Sequence, residues 1–516
     1  MSGAQRAIVV ETRPSPGMPR PYEFPPFERH RLANGLDVLV VEMPGRPLVS
    51  ASLVILRGAA DEPALDGGAT VLAARALSEG TEVRDAVALI EAAERLGASI
   101  HAEAGWDATS LSVDVPAARL EPALELVAEM AARPTFPASE VERLRDERLN
   151  DLLQARADPR RRADEAFVAT IYTPASPYHR PAGGERETVR QLDPDRLRAT
   201  HARAFDPRRM SLVVAGEIGR LDVVRIAKHL LDGWAPSPSV RPSGPIVAES
   251  ALSRRLVRVV HRPGAVQTEI RIGHPGLPRR IPDFHAVSVM SAILGGLFNS
   301  RLNMRLREEK GYTYGAGAGF ELRRAAGPFS ARAAVNTGAT VPAVADFLAE
   351  IARIRDERVT EAELRAARDF LVGVFPLRFE TPGPVVGALS GIVVHGLPDD
   401  ELARYRPAIE AVSVDDVRSA AETHIDLDRA AIVLVGDADA FGPALESAGF
   451  GPVVIERDEG PRTEGPLEGV EDELGPIDVG PAGPTEGADE TSVETSVERT
   501  DDPTGVKTGS EGLDGR

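Results

Sequence analysis

The side chains that most often hold a metal or move a proton are thinly spread in this chain. Its ten histidines stand at 30, 101, 179, 201, 229, 261, 274, 285, 395 and 424, and it has no cysteine. Two histidines that share one metal ion on a helix stand four residues apart, so that both fall on one face. No two histidines here have that spacing, and neither His-x-x-Glu-His nor His-Glu-x-x-His occurs. The nearest approach is His229 with Asp232 in HLLD, which reads more simply as surface or capping chemistry. Residues 68–81, GATVLAARALSEGT, raise a question. Gly at one end and Gly-Thr at the other frame a short helix, TVLAARA, that carries neither a metal ligand nor a base.

The bulk composition narrows the classes. The chain has 516 residues and a formal net charge of −19. From Glu456 to Arg516 there are 18 acidic and 5 basic residues, so most of the excess charge lies in the last stretch. What precedes it is only mildly acidic, which argues against nucleic acid or an anionic membrane as partner, since both need a basic face. The absence of cysteine excludes a disulfide framework and any thiolate metal site. The opening MSGAQRAIVVETRPSPGMPRPYEFPPF has one four-residue apolar run before a Pro-rich stretch, and no window approaches the ~18 apolar residues of a membrane span. A soluble, cytoplasmic protein is the expectation.

Composition also divides the chain. Residues 1–27 form a Pro-rich extension. Residues 456–516 are Gly, Pro, acids, Ser and Thr with few large apolar side chains, and cannot bury enough surface to offset the entropy of ordering, so an acidic disordered tail is expected. DGWAPSPSVRPSGP, from 232, breaks all periodicity. A linker over 232–249 leaves halves at 28–231 and 250–450, which repeat one plan. The first opens with two runs rich in Val, Leu and Ile around a Pro-Gly turn, which reads as a hairpin. Helices, a strand pair (HAEAGWDATSLSVDVP), further helices and a closing strand, MSLVVAGEI, follow. The second half opens on LVRVVHRPGAVQTEIRIGHPG and closes on AAIVLVGDA. The expected class is α+β: two homologous halves, each a mainly antiparallel sheet packed with helices.

Three stretches carry a resemblance: HRLANGLDVLVVEMP, the run from Ser176 to Ile218 ending MSLVVAGEI, and LGGLFNSRLNMRLREEKGYTYGAGAGF at 294–320. Together they resemble the M16 zinc peptidases, the insulinase-, pitrilysin- and mitochondrial-processing-peptidase-like family. In active members the frame at 68–81 encloses His-x-x-Glu-His, two zinc ligands and a general base, with a Glu ligand from a later helix. The resemblance sets Val71 and Arg75 at the two histidines and Ala74 at the glutamate. Asp151 falls roughly at the third ligand, where it reads as a solvated helix carboxylate. No metal site is expected in this chain. On this view the frame persists because its helix must still pack.

The same resemblance implies a second set. Active members hold the substrate backbone and the developing oxyanion with an Arg and a Tyr seven residues apart, matched here by Arg307 and Tyr314. Asn299, Ser300 and Arg301 lie in the preceding turn, where the family shapes the groove floor. An Arg fork and a phenol are suitable donors to peptide carbonyls. The implied function is a non-catalytic, substrate-binding subunit of a heterodimeric M16-like metallopeptidase. Zinc would sit in a partner with an intact His-x-x-Glu-His, and the substrate would be an extended peptide. The alternative is an inert scaffold of the same fold. Two other features take plain readings: GAGAGF (315–320) follows a strand and is no phosphate loop, and DPRRRADE (158–165) is a solvated helix start.

Overall fold

A computed structural model describes residue 17 and residues 20–219, 221–236 and 244–457. The acidic segment from 458, most of the N-terminal extension and part of the Pro-rich break lie outside them. Glu456 and Arg457, expected in the tail, close the last strand instead.

Twelve strands make two six-stranded sheets. The first holds β1 (Phe27–Arg31), β2 (Asp37–Glu42), β3 (Leu48–Ile55), β4 (Ser99–Ala104), β5 (Thr109–Pro116) and β6 (Met210–Gly216). Its order is β1-β2-β6-β3-β5-β4. The second holds β7 (Leu256–His261), β8 (Gln267–Pro275), β9 (Ala316–Phe320), β10 (Pro328–Asn336), β11 (Ala431–Gly436) and β12 (Val453–Arg457), in the order β12-β7-β11-β8-β10-β9. The five-strand series β2-β6-β3-β5-β4 and β7-β11-β8-β10-β9 match position for position. Most pairings are antiparallel; β2–β6, β7–β11 and β7–β12 are parallel.

This order corrects the expected opening hairpins. β2 and β3 do not pair: β6 lies between them, as β11 lies between β7 and β8. The reason is burial. Every residue of β6 and of β11 is buried, and a strand apolar on both faces belongs inside a sheet rather than at its edge. Among the described residues GAGAGF follows a helical turn, Met304–Glu309, and not a strand; residues 316–320 form the edge strand β9, paired with β10.

Each sheet packs one face on helices of its own half. Against the first lie helices that include Ala69–Ala76, Leu120–Ala132 and Ala138–Ala157. The opposite faces are covered by exchange. Val385, Val386, Leu389 and Ile392 of helix Pro382–His395, late in the chain, cover Leu39, Val41, Val54, Val213 and Ala215 of the first sheet. Ala163, Ala166, Phe167 and Ile171 of helix Pro159–Ile171 cover Val260, Ala431, Val433 and Val435 of the second. That helix starts because Pro159 fixes its first turn and the Asp158 carboxylate accepts from the Arg160 and Arg161 amides. Its charged side is not simply solvated: Asp164 accepts from Arg271 at 2.6 Å and Arg162 bonds Glu456 at 2.8 Å. At roughly 1.5–3 kcal/mol per buried aliphatic side chain, four such residues represent on the order of 10 kcal/mol of gross burial. That gross term is as large as the net stability of a domain, so each exchanged helix weighs heavily in the stability of the sheet it covers.

Hairpin tips also meet across the halves. Arg324, between β9 and β10, reaches Asp61 at 2.6 Å and Asp107, between β4 and β5, at 3.3 Å. Beside it the Arg323 guanidinium lies 4.6 Å from the Trp106 ring and 4.4 Å from that of Tyr178. Among the described residues no helix is long and apolar enough to cross a membrane.

Candidate functional site

The frame at 68–81 is held by bonds its residue types require. Gly68 has φ +93°, and a Cβ there would stand 2.6 Å from the Gly183 carbonyl oxygen. The helix has no side-chain cap of its own; the buried Glu62 carboxylate accepts from the Gly68 and Thr70 amides at 3.0 and 2.6 Å and from Arg180 at 2.8 Å. At the far end the buried Thr81 hydroxyl donates to Glu129 at 2.5 Å and accepts from the Val83 and Arg84 amides. These contacts explain the frame without any chemistry inside it.

Within the frame, Ala74 is buried, Val71 is half-buried and Arg75 is exposed. Arg75 donates to Glu147 on helix Ala138–Ala157 at 2.8 Å. Glu147 also accepts from Arg143 at 2.6 Å, and Arg143 reaches Glu140 and Glu79 at 2.7 and 2.8 Å. Hydrogen bonds from Arg75 and Arg143 hold the Glu147 carboxyl below its ordinary range. Asp151 is one turn further along. It is a part-exposed helix carboxylate that is also paired: Arg161 donates to it at 2.7 and 3.0 Å and Arg148 bonds it as well, which keeps it low. The carboxylate facing the framed helix is therefore Glu147. An aliphatic side chain, a methyl and a guanidinium do not fit a zinc ion, which needs at least three protein ligands.

Among the described residues, the one grouping of three metal-capable side chains is His261, Asp437 and Asp439, in the other half. His261 Nδ1 accepts from the Ala438 amide, Asp437 caps the helix there, and Asp439 pairs with Arg457 at 2.9 Å. Those bonds account for all three. His229 is exposed, and Asp232 accepts from the Asn34 amide at 3.3 Å.

The second set gathers around a break in helical geometry. Residues Ala292–Gly296 and Met304–Glu309 are π-helical turns, which recur at functional sites. The first lies against β9: a Cβ on Gly295 would stand 2.1 Å from the Ala318 nitrogen. Arg307, on the second turn, is half-buried. Its guanidinium carbon lies 4.6 Å from the centre of the Phe298 ring, and its Nε is 3.5 Å from Glu308. Tyr314, just before β9, is 93 % exposed. A core strand position is thereby excluded for it.

The preceding turn is divided. Asn299 is exposed and lines a cleft of about 370 Å³ with Met304, Arg305 and Glu309. Ser300 is 2 % exposed and stands at the start of the turn Arg301–Asn303, with its side chain turned away from solvent. Arg301 is buried against Glu363 at 2.7 and 3.1 Å. Two residues that the motif contains but the sequence reading gave no role complete the picture. Phe298, 69 % exposed, is the shelf under Arg307. Asn303, 6 % exposed, donates to the Phe298 carbonyl at 2.7 Å and accepts from the Ala316 amide at 3.1 Å. An aromatic two positions after Gly295-Gly296, and a polar Asn303 between Leu302 and Met304, were the available signals.

Two duplicated six-stranded sheets with this strand series, packed with helices, make one α+β fold in which the framed helix carries no metal ligand. The chain belongs to peptidase family M16: the family description Insulinase (Peptidase family M16) matches residues 37–178 and Peptidase M16 inactive domain matches 191–371. It is 25 % identical to an uncharacterized zinc protease of Mycobacterium leprae over 83 % of this chain and 91 % of that one. It is 21 % identical to the non-peptidase homolog YmxG of Helicobacter pylori, over 72 % of this chain and 84 % of that one. Among solved structures it resembles a peptidase M16 inactive domain from Pseudomonas fluorescens, with TM-score 0.72 and 26 % identity, covering 80 % of this chain and 98 % of that one.

Proposed function

We propose that this chain is the non-catalytic, substrate-binding subunit of a two-chain M16 metallopeptidase. Its partner would carry His-x-x-Glu-His and the zinc, and this chain would supply Arg307 and Tyr314 in trans to an extended peptide. The observation that carries the reading is Tyr314: a phenol left almost fully in solvent at the root of a free edge strand, close in sequence to a guanidinium held on a ring. An edge strand offers main-chain bonds to an extended peptide, and the two side chains offer donors to its carbonyls. Val71, Ala74 and Arg75 support the non-catalytic half of the proposal.

The test is cleavage of a fluorogenic peptide by this chain alone, with metal analysis, and mixed with an M16 chain that has the intact motif. The reading expects an inert, metal-free chain and an active mixture that loses activity with Arg307→Ala or Tyr314→Phe. The second reading, a scaffold without proteolysis, is favoured by kinship with a non-peptidase homolog. It expects a mixture indifferent to both substitutions.

A further inference from the structure

Arg307 and Tyr314 lie on different elements, and one buried amide side chain ties those elements together. Asn303 donates through Nδ2 to the Phe298 carbonyl at 2.7 Å, and its Oδ1 accepts from the Ala316 amide at 3.1 Å. The first bond fixes the turn that presents the Phe298 ring, on which Arg307 rests at 4.6 Å. The second fixes the first residue of β9, two positions after Tyr314. Only a side chain that both donates and accepts can make this pair of bonds, and at 6 % exposure no solvent water stands in for it.

We propose that Asn303 is a positioning residue that sets the relation between Arg307 and the start of β9, and that Phe298 is the aromatic shelf that pre-orients the Arg307 guanidinium for a peptide carbonyl. The proposal rests on the substrate-binding reading above. A long, rotatable cation that is already stacked loses less freedom on binding than one moving in solvent. The ring itself, 69 % exposed, is also available to a bulky apolar side chain next to the bound carbonyl, so peptides with such a residue are the substrate class the site favours.

The test uses the full chain and two readouts. The first is the NMR resonance of the Arg307 Nε–H group, which a ring 4.6 Å away displaces from its solvent position. The second is fluorescence anisotropy with a fluorescein-labelled, unstructured twelve-residue peptide containing one Phe. Phe298→Leu and Asn303→Asp are expected to return the resonance toward the solvent position and to weaken peptide binding, for Phe298→Leu by about two- to fivefold, the scale of an exposed cation–ring contact. Phe298→Tyr keeps the ring and is expected to keep both readouts. If Arg307→Ala weakens binding while Phe298→Leu and Asn303→Asp bind as the parent does, the positioning role is overturned and the substrate-binding reading survives. If Arg307→Ala itself binds like the parent, the substrate-binding reading fails.

Discussion

The Arg75 guanidinium and the Glu147 carboxylate meet at 2.8 Å between two helices of the first half. A cation belonging to the protein faces the carboxylate that a rebuilt metal site would need. The variant Val71→His, Ala74→Glu, Arg75→His is expected to bind one Zn²⁺, with Glu147 as the third ligand, because it frees Glu147 from one of its two arginines while Asp151 keeps both. Adding Glu147→Gln is expected to weaken zinc at least tenfold, the scale of losing a ligand's support, whereas adding Asp151→Asn leaves it. Titration with a zinc indicator decides between the two carboxylates.

Gly68 stands where no other residue fits. Gly68→Ala would combine a left-handed backbone with a Cβ driven against the Gly183 carbonyl. A loss of about 2 kcal/mol or more is expected in urea unfolding. A change below about 0.5 kcal/mol would mean that the loop carrying Gly183 yields freely.

The Arg324 contact is the buried tie between hairpin tips. Asp61 and Asp107 have side chains only 4 % and 10 % exposed. Arg324→Ala leaves both carboxylates without this partner, and a cost of about 3 kcal/mol is expected. Arg324→Met with Asp61→Asn together should recover part of it. Thermal melts of the single and combined variants test this.

Acid sensitivity should have an identifiable contributor in Glu363. Burial alone would raise its pKa, but bonds from Arg301 and from Thr360 outweigh burial and bring it down to about 2. A carboxylate depressed in the folded state stabilises above its unfolded pKa, and that contribution is lost as pH falls through the folded value. The window runs from about pH 4.5 down to about pH 2. Glu363→Gln should lower stability by roughly 2–3 kcal/mol at pH 7, and the gap to the parent should narrow toward pH 2. A gap that stays constant with pH would show that Glu363 acts through shape alone.

Much of the fold was legible because it is local. Helix 120–132 follows from apolar residues at 120, 124, 127 and 130, and β5 follows from the polar–apolar alternation of TSLSVDVP. The duplication was legible from the echo of MSLVVAGEI in AAIVLVGDA. What was not legible was partnership. A strand such as β6, apolar throughout, has no alternation to say which neighbours it takes, so its insertion between β2 and β3 was missed. Helix 382–395 shows apolar residues on several sides, and nothing local says whose sheet it covers. At the second site the motif pointed to Arg307 and Tyr314, but the roles of Phe298 and Asn303 depend on bonds between residues whose separation in space periodicity does not encode.

The exchanged helices have a mechanical consequence. A two-lobed chain can breathe by swinging its lobes about the segment that joins them. Here helix 159–171 lies on the later sheet and helix 382–395 on the earlier one, so swinging the lobes apart would strip both. Each sheet is clasped by a helix that the other half supplies, so the two halves move as one body.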